Sequence, residues 1–178
     1  MQRIRASLLL FSAIFAAAPA GAQQEPPASQ RAAVSQTINT TLVTLTYDRP
    51  VARGRVLFGD AGVVKFDTLW TAGANRATIV EVDRGVRIAG QRVPAGKYSL
   101  WTIPGDGDWT FILNRTWDAH HAQYPGAATD VLRVTLTPQS GAHMEALAYY
   151  FPVVGPYTAT LHLHWGGLVL AIPIEVER

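Results

Sequence analysis

The sequence predicts an all-β fold: an antiparallel β-sandwich or barrel of about 8–10 short strands. Three observations predict it. Apolar and polar residues alternate with period two through most of the chain. Gly, Asn, Asp and Pro clusters punctuate that alternation at regular intervals. No window of a dozen residues shows the apolar spacing of a helix. Of the 178 residues, 48% are hydrophobic and only 16% are charged, so most of the chain has the means to bury a core. There is no cysteine, which excludes a disulfide framework, a thiolate zinc site and a cysteine nucleophile.

The elements follow in order. Thr41–Tyr47 reads as the first strand. A meander comes next, with Ala77–Val82 and Val86–Ile88 flanking the turn residues Asp83-Arg84-Gly85. Gly90 marks another bend, and Val93-Pro94-Ala95-Gly96 fits a type I turn. Tyr98–Ile103 and Trp109–Asn114 flank a hairpin loop, Gly105-Asp106-Gly107-Asp108. In Val131–Thr137, Leu132, Val134 and Leu136 alternate with Arg133 and Thr135, which gives one buried and one wet face. Met144–Phe151 follows. At the C-terminus Leu161, Leu163 and Trp165 share a face, as do Leu168, Leu170, Ile172 and Ile174, and Gly166-Gly167 reads as a two-residue hairpin turn between them. That register sets Trp165 opposite Leu168, His162 opposite Ala171 and His164 opposite Val169. Pro173, having no N–H, argues for an edge or for an outward-pointing position. Gly59–Asn75 and Trp117–Thr129 show no regular pattern, and long irregular segments on a β scaffold commonly carry binding sites.

The chain divides into a signal peptide over residues 1–22, a polar flexible leader over 23–36 and a single β domain over 37–178. Arg3 and Arg5 precede an apolar run from Leu8 to Ala18, and Ala20-Gly21-Ala22 supplies a small-residue cleavage site. The run is too short to span a bilayer, which takes about 20 apolar residues. The expectation is export, with the mature protein periplasmic or extracellular and carrying no membrane span. The formal charge is +2, from 15 Lys and Arg against 13 Asp and Glu. Cleavage removes Arg3 and Arg5 and leaves 13 against 13, so no global basic field remains to attract nucleic acid.

The residues resemble a bacterial family, domain of unknown function 2911. The resemblance is carried by Arg55-Val56-Leu57-Phe58-Gly59 and by Trp70 with Gly73-Ala74-Asn75-Arg76-Ala77-Thr78. It continues through Pro94-Ala95-Gly96-Lys97-Tyr98-Ser99-Leu100, Ile103-Pro104, Trp109 with Ile112-Leu113-Asn114, Asp130-Val131-Leu132-Arg133-Val134 and Trp165. It spans about Thr41 to Glu177 and implies an exported β-rich protein without an assigned activity. Two positions depart from the pattern: Thr71 stands where Arg is usual, and Arg76 where Glu is usual.

Three constellations carry candidate chemistry. His162 and His164, two apart on a strand, face the same way and can share a metal, with His120, His121 or His143 to complete the set. The plainer alternative is a pair of rim histidines. Neighbouring His120 and His121 on an extended segment would point opposite ways. Five tryptophans are many for this length, and indole faces stack on sugars and other flat ligands. Trp109 and Trp165 fall on core positions. Trp101 has the opposite parity to Tyr98 and Leu100, and Trp117 lies in an irregular loop beside Tyr124, so Trp101, Trp117 and Tyr124 are the stacking candidates. The third constellation is the Trp70–Asn75 turn, which with Arg55, Arg76 and Tyr98 can form a polar pocket; the plainer reading is a tight turn into the strand. Catalytic signatures are missing: there is no G-x-S-x-G elbow around Ser99, no H-E-x-x-H and no phosphate-binding loop.

The reading that results is an exported, non-catalytic β module that binds a small molecule, a glycan or an envelope protein, with no cofactor specified. The alternatives are a metal-dependent hydrolase or oxidoreductase using His162 and His164, and a structural envelope protein.

Overall fold

A computed structural model describes residues 27–177. The proposed signal peptide and its cleavage site lie outside the described residues. Among the described residues ten strands form two antiparallel sheets and no closed barrel, so the architecture is a sandwich. The strands are β1 (Gln30–Ile38), β2 (Thr41–Arg49), β3 (Thr78–Val82), β4 (Val86–Ile88), β5 (Gln91–Val93), β6 (Gly96–Ile103), β7 (Trp109–Asn114), β8 (Asp130–Leu136), β9 (Gln139–Val154) and β10 (Thr158–Val176). One sheet runs β1-β2-β3-β6-β7-β8 and the other β5-β4-β10-β9.

Period-two alternation places the core between them. From the larger sheet, Val43, Leu45, Val80, Leu100, Phe111 and Leu132 point inward. Leu147, Tyr149, Leu161, Leu163, Trp165, Ile172 and Ile174 meet them from the smaller sheet. A second, smaller cluster lies on the outer face of the larger sheet, where the β7–β8 connection carries Ala119 and Tyr124 over Ala77, Trp101 and Ile112.

Four expectations need correction. The leader of residues 23–36 is a strand from Gln30 onward, paired along its whole length with β2. Within the leader its inward residues, Ala32, Val34 and Gln36, are only partly buried and include one polar side chain, so the alternation is faint there, and the fully buried Ile38 follows at the end of the strand. Second, β3 and β4 do not pair: Asp83-Arg84-Gly85 carries the chain from one sheet to the other. The hairpin at this point is instead β4–β5, turning at Ala89 and Gly90, both with positive φ (48° and 78°).

Third, Gly166-Gly167 is not a hairpin turn. β10 runs straight through it, and the register against β9 shifts on either side of Gly166 (φ 57°). The register leaves extra residues on β9, two between the His164 and Gly166 partners and two between the Gly166 and Leu168 partners. Along β10 odd positions point inward up to Trp165 and even positions from Leu170 onward, the change falling at the left-handed Gly166, a pattern a two-residue hairpin also produces. Fourth, His162 therefore lies opposite Tyr150, and His164 opposite Ala148. Pro173 sits where the β4–β10 ladder stops: its carbonyl accepts the Ala89 N–H at 2.9 Å, and it has no N–H to return.

Between β2 and β3 the chain leaves the larger sheet and bonds to β9. Ala52 N–H donates to Glu145 (2.7 Å), Leu147 N–H donates to Pro50 (2.9 Å), and Val51 bridges Ala146. This stitch fixes where the chain enters the segment from Arg53 to Asn75, which Asp67 and Trp70 then tie back to Pro104 and Thr102.

Candidate functional site

A cleft of about 320 Å³ opens beside the stitch, lined by Arg55, Val63, Leu69, Trp70, Thr71, His121 and Trp165, among others. Trp70 and Trp165 form its aromatic wall, and Phe58 and Trp109 back them in a cluster of four rings. Trp70 stacks on Trp165 (centroids 5.9 Å apart, planes 25° apart), and Phe58 meets Trp70, Trp109 and Trp165 at 5.1–5.9 Å. Each such pair adds about 0.5–1.5 kcal/mol beyond its buried area. Trp165 is fully buried and Trp70 half-exposed, so Trp165 is the fixed floor and Trp70 the accessible edge.

Backbone bonds hold Trp70 in place. It exchanges N–H···O bonds with Thr102 of β6 at 2.7 and 2.8 Å, and its indole N–H donates to the Gly73 carbonyl at 3.0 Å. Ala72 behind it is fully buried with φ 49°, a conformation disfavoured for any residue but glycine. Its carbonyl accepts from the Tyr149 hydroxyl (2.8 Å) and the Thr78 hydroxyl (3.2 Å), which hold the strained turn. Burial pushes the Tyr149 phenol far above the ordinary tyrosine range, so it remains a donor at every pH the protein meets.

Arg55 supplies the charge. Its Nε donates to Ala52 O at 3.0 Å and an Nη to Val51 O at 2.7 Å. Both acceptors are backbone carbonyls, and no ion pair among the described residues involves Arg55. The guanidinium is thus oriented and keeps its full charge and several N–H donors. His121 closes the far side, its Nδ1 2.7 Å from the Asn75 carbonyl. Exposed Val63 and Leu69 line the rim, and exposed Val56 lies next to Val63 through a backbone bond.

The sequence candidates do not converge as a set. Arg55 and Trp70 line the cleft, and Asn75 borders it through its carbonyl and through its amide bond to Ser29 O (3.2 Å). Arg76 points elsewhere and pairs with Asp118 at 3.4 Å. Tyr98 is a core residue, 4% exposed, with its hydroxyl on Pro94 O, so it forms no pocket with Arg55. Trp101 is 1% exposed, because the β7–β8 connection covers the face its parity gives it; its indole N–H is held by Ser99 Oγ. Tyr124 packs on Trp101 and donates to Asp130, anchoring that connection. Trp117 is exposed, with the Lys97 ammonium 5.2 Å above its ring. Sequence reasoning missed Thr71 and Trp165 as cleft residues, along with His121, which a distant connection delivers. His120 and His121 do not diverge: their rings lie 4.2 Å apart.

His162 and His164 form a hydrogen-bonded chain rather than a metal site. His164 Nε2 donates to Ala142 O at 2.8 Å, which leaves Nδ1 to accept the Tyr150 hydroxyl at 3.0 Å; the Tyr150 oxygen accepts from His162 Nδ1 at 3.4 Å. His164 thus has no nitrogen left for a metal. No group of three His, Cys, Asp or Glu among the described residues can hold one. Burial, with a smaller push from His164, lowers the His162 pKa below 6.5. As pH falls through 6.5, the unfolded chain takes up the proton before the folded one does. The stability this group contributes is therefore present above pH 6.5 and is lost as pH falls through the lowered value. Thermal melts between about pH 7.5 and 5 should show a shallower decline for His162→Gln than for the unaltered protein. Parallel declines would contradict this reading.

Comparison with known proteins gives one match. The model of a family described as protein of unknown function (DUF2911) matches residues 29–174. No curated protein and no solved structure matches the chain. The match covers both sheets and every wall of the cleft, and the chain is a member of the DUF2911 family.

Proposed function

We propose that this is an exported, non-catalytic binding protein whose site is the Arg55–Trp70–Trp165 cleft, and that it takes a small organic anion with a flat or apolar body. The N-terminal pattern of Arg3, Arg5, the apolar run and Ala20-Gly21-Ala22 supports export. One observation carries the binding reading: an oriented guanidinium, in no ion pair among the described residues, lines an aromatic-walled cleft with an apolar rim. Its volume lies within the range of small-molecule sites, roughly 300–1,000 Å³, which are mainly apolar with few polar groups. The segments that carry the family resemblance, Arg55–Gly59, Trp70–Asn75 and Trp165, meet at this place although they are far apart in the chain.

Calorimetric titration with phenylacetate, a carboxylate on a flat ring, tests the reading. Phenylacetate should bind and its neutral amide should bind more weakly. Arg55→Gln should lower phenylacetate affinity by about 10–100-fold, the value of a charge-assisted hydrogen bond of about 1.5–3 kcal/mol. Equal affinities of the acid for the two proteins would remove Arg55 from the site.

A further inference from the structure

A second cleft, of about 440 Å³, lies on the other side of the stitch and shares no lining residue with the first. Arg31 from β1, Arg49 from the end of β2 and Arg53 from the connection beyond it all line it, with Val51 and Ala146 between them. Arg49 is half-buried, and its Nε donates to Leu147 O at 2.8 Å; an Nη of Arg53 donates to Ala28 O at 3.3 Å. As with Arg55, these bonds orient the forks without neutralising them. Arg31 alone has a carboxylate partner, Asp48, at 4.0 Å. The other acid nearby is Glu145. Its Oε1 accepts the Arg53 backbone N–H at 2.7 Å, its Oε2 pairs with His143 at 2.9 Å, and its charge offsets part of the Arg53 charge without a direct ion pair to the guanidinium.

Three guanidiniums in one concavity, two of them outside any ion pair among the described residues, carry an excess of positive charge in a chain that is otherwise nearly neutral. Arginine forks match tetrahedral oxyanions through paired N–H donors, and several forks together favour a multiply charged group over a single carboxylate. We propose that this cleft binds a phosphate ester group, held by Arg31, Arg49 and Arg53. The ester belongs either to a soluble phosphorylated molecule or to a lipid headgroup.

The test uses the purified protein with inorganic pyrophosphate as probe, followed by calorimetry at low salt. Binding is expected, weakening as ionic strength rises. It should be at least about tenfold weaker in Arg31→Gln/Arg53→Gln, since each charge-assisted bond is worth about a factor of ten or more. Those two side chains lie at the surface, and circular dichroism verifies that the variant is folded. Arg49→Lys, which keeps charge but loses the fork, should also weaken binding. Sedimentation with phosphatidylcholine vesicles carrying phosphatidate separates the two sources. Sedimentation reversed by pyrophosphate assigns a lipid headgroup; pyrophosphate binding without sedimentation assigns a soluble ester. No binding in either arm, or equal pyrophosphate affinity of the folded double variant, overturns the proposal.

Discussion

Trp165→Ala is expected to lower the free energy of unfolding by about 3–5 kcal/mol, the usual cost of deleting a buried large aromatic side chain. Trp165 is 1% exposed, stacks on Trp70 and meets Phe58 edge-on, so its removal deletes a large buried area and both ring contacts. That loss is a large share of the roughly 5–15 kcal/mol that holds a domain of this size together. Urea unfolding measures it directly. Trp101→Ala is the informative comparison. Trp101 is equally buried but belongs to the outer cluster under the β7–β8 connection. It should cost a similar amount of stability and leave phenylacetate binding intact, whereas Trp165→Ala should abolish binding even under conditions where the variant is folded.

Gly73→Ala should cost about 1–3 kcal/mol, the range for overfilling a packed site. An added methyl would sit 2.8 Å from Thr78 Oγ1 and 3.2 Å from the Asp48 carbonyl. The threonine cannot swing away without giving up its bond to the Ala72 carbonyl, and the aspartate oxygen is backbone. Relief must come from the Trp70–Asn75 turn, so Trp70 moves off Trp165. Thermal melts read the stability loss, and altered tryptophan emission reads the displacement. Unchanged emission together with an unchanged melt would show that the turn adapts without cost.

Much of the sandwich was legible because alternation and turn chemistry agreed. Val86–Ile88 and Trp109–Asn114 appear with the expected limits, and Gly105–Asp108 does join β6 to β7. The misreadings have physical causes. Before Ile38, β1 turns only alanine, valine and glutamine inward, and these stay partly exposed, so its pairing with β2 left little trace. The left-handed Gly166 and a two-residue hairpin exchange the faces of the strand alike, and only the partner strand distinguishes them. The site was half legible. Arg55 and Trp70 stood out beside a Gly-Ala-Asn turn. Trp165 was assigned to packing, which its burial supports, yet its ring also floors the cleft. The parity of Trp101 does carry it away from the main core, but the β7–β8 connection covers it, and no local pattern announces a cover 20 residues away in the chain.

The aromatic cleft, and not another tryptophan surface, is the proposed ligand site. Five tryptophans give five indole N–H signals, so a nitrogen–proton correlation spectrum recorded during a phenylacetate titration reads the location directly. The Trp70 and Trp165 signals are expected to move together and saturate, while those of Trp101 and Trp117 stay fixed. Movement of the exposed Trp117, with Trp70 and Trp165 unmoved, would contradict this and place binding on the Lys97–Trp117 surface instead.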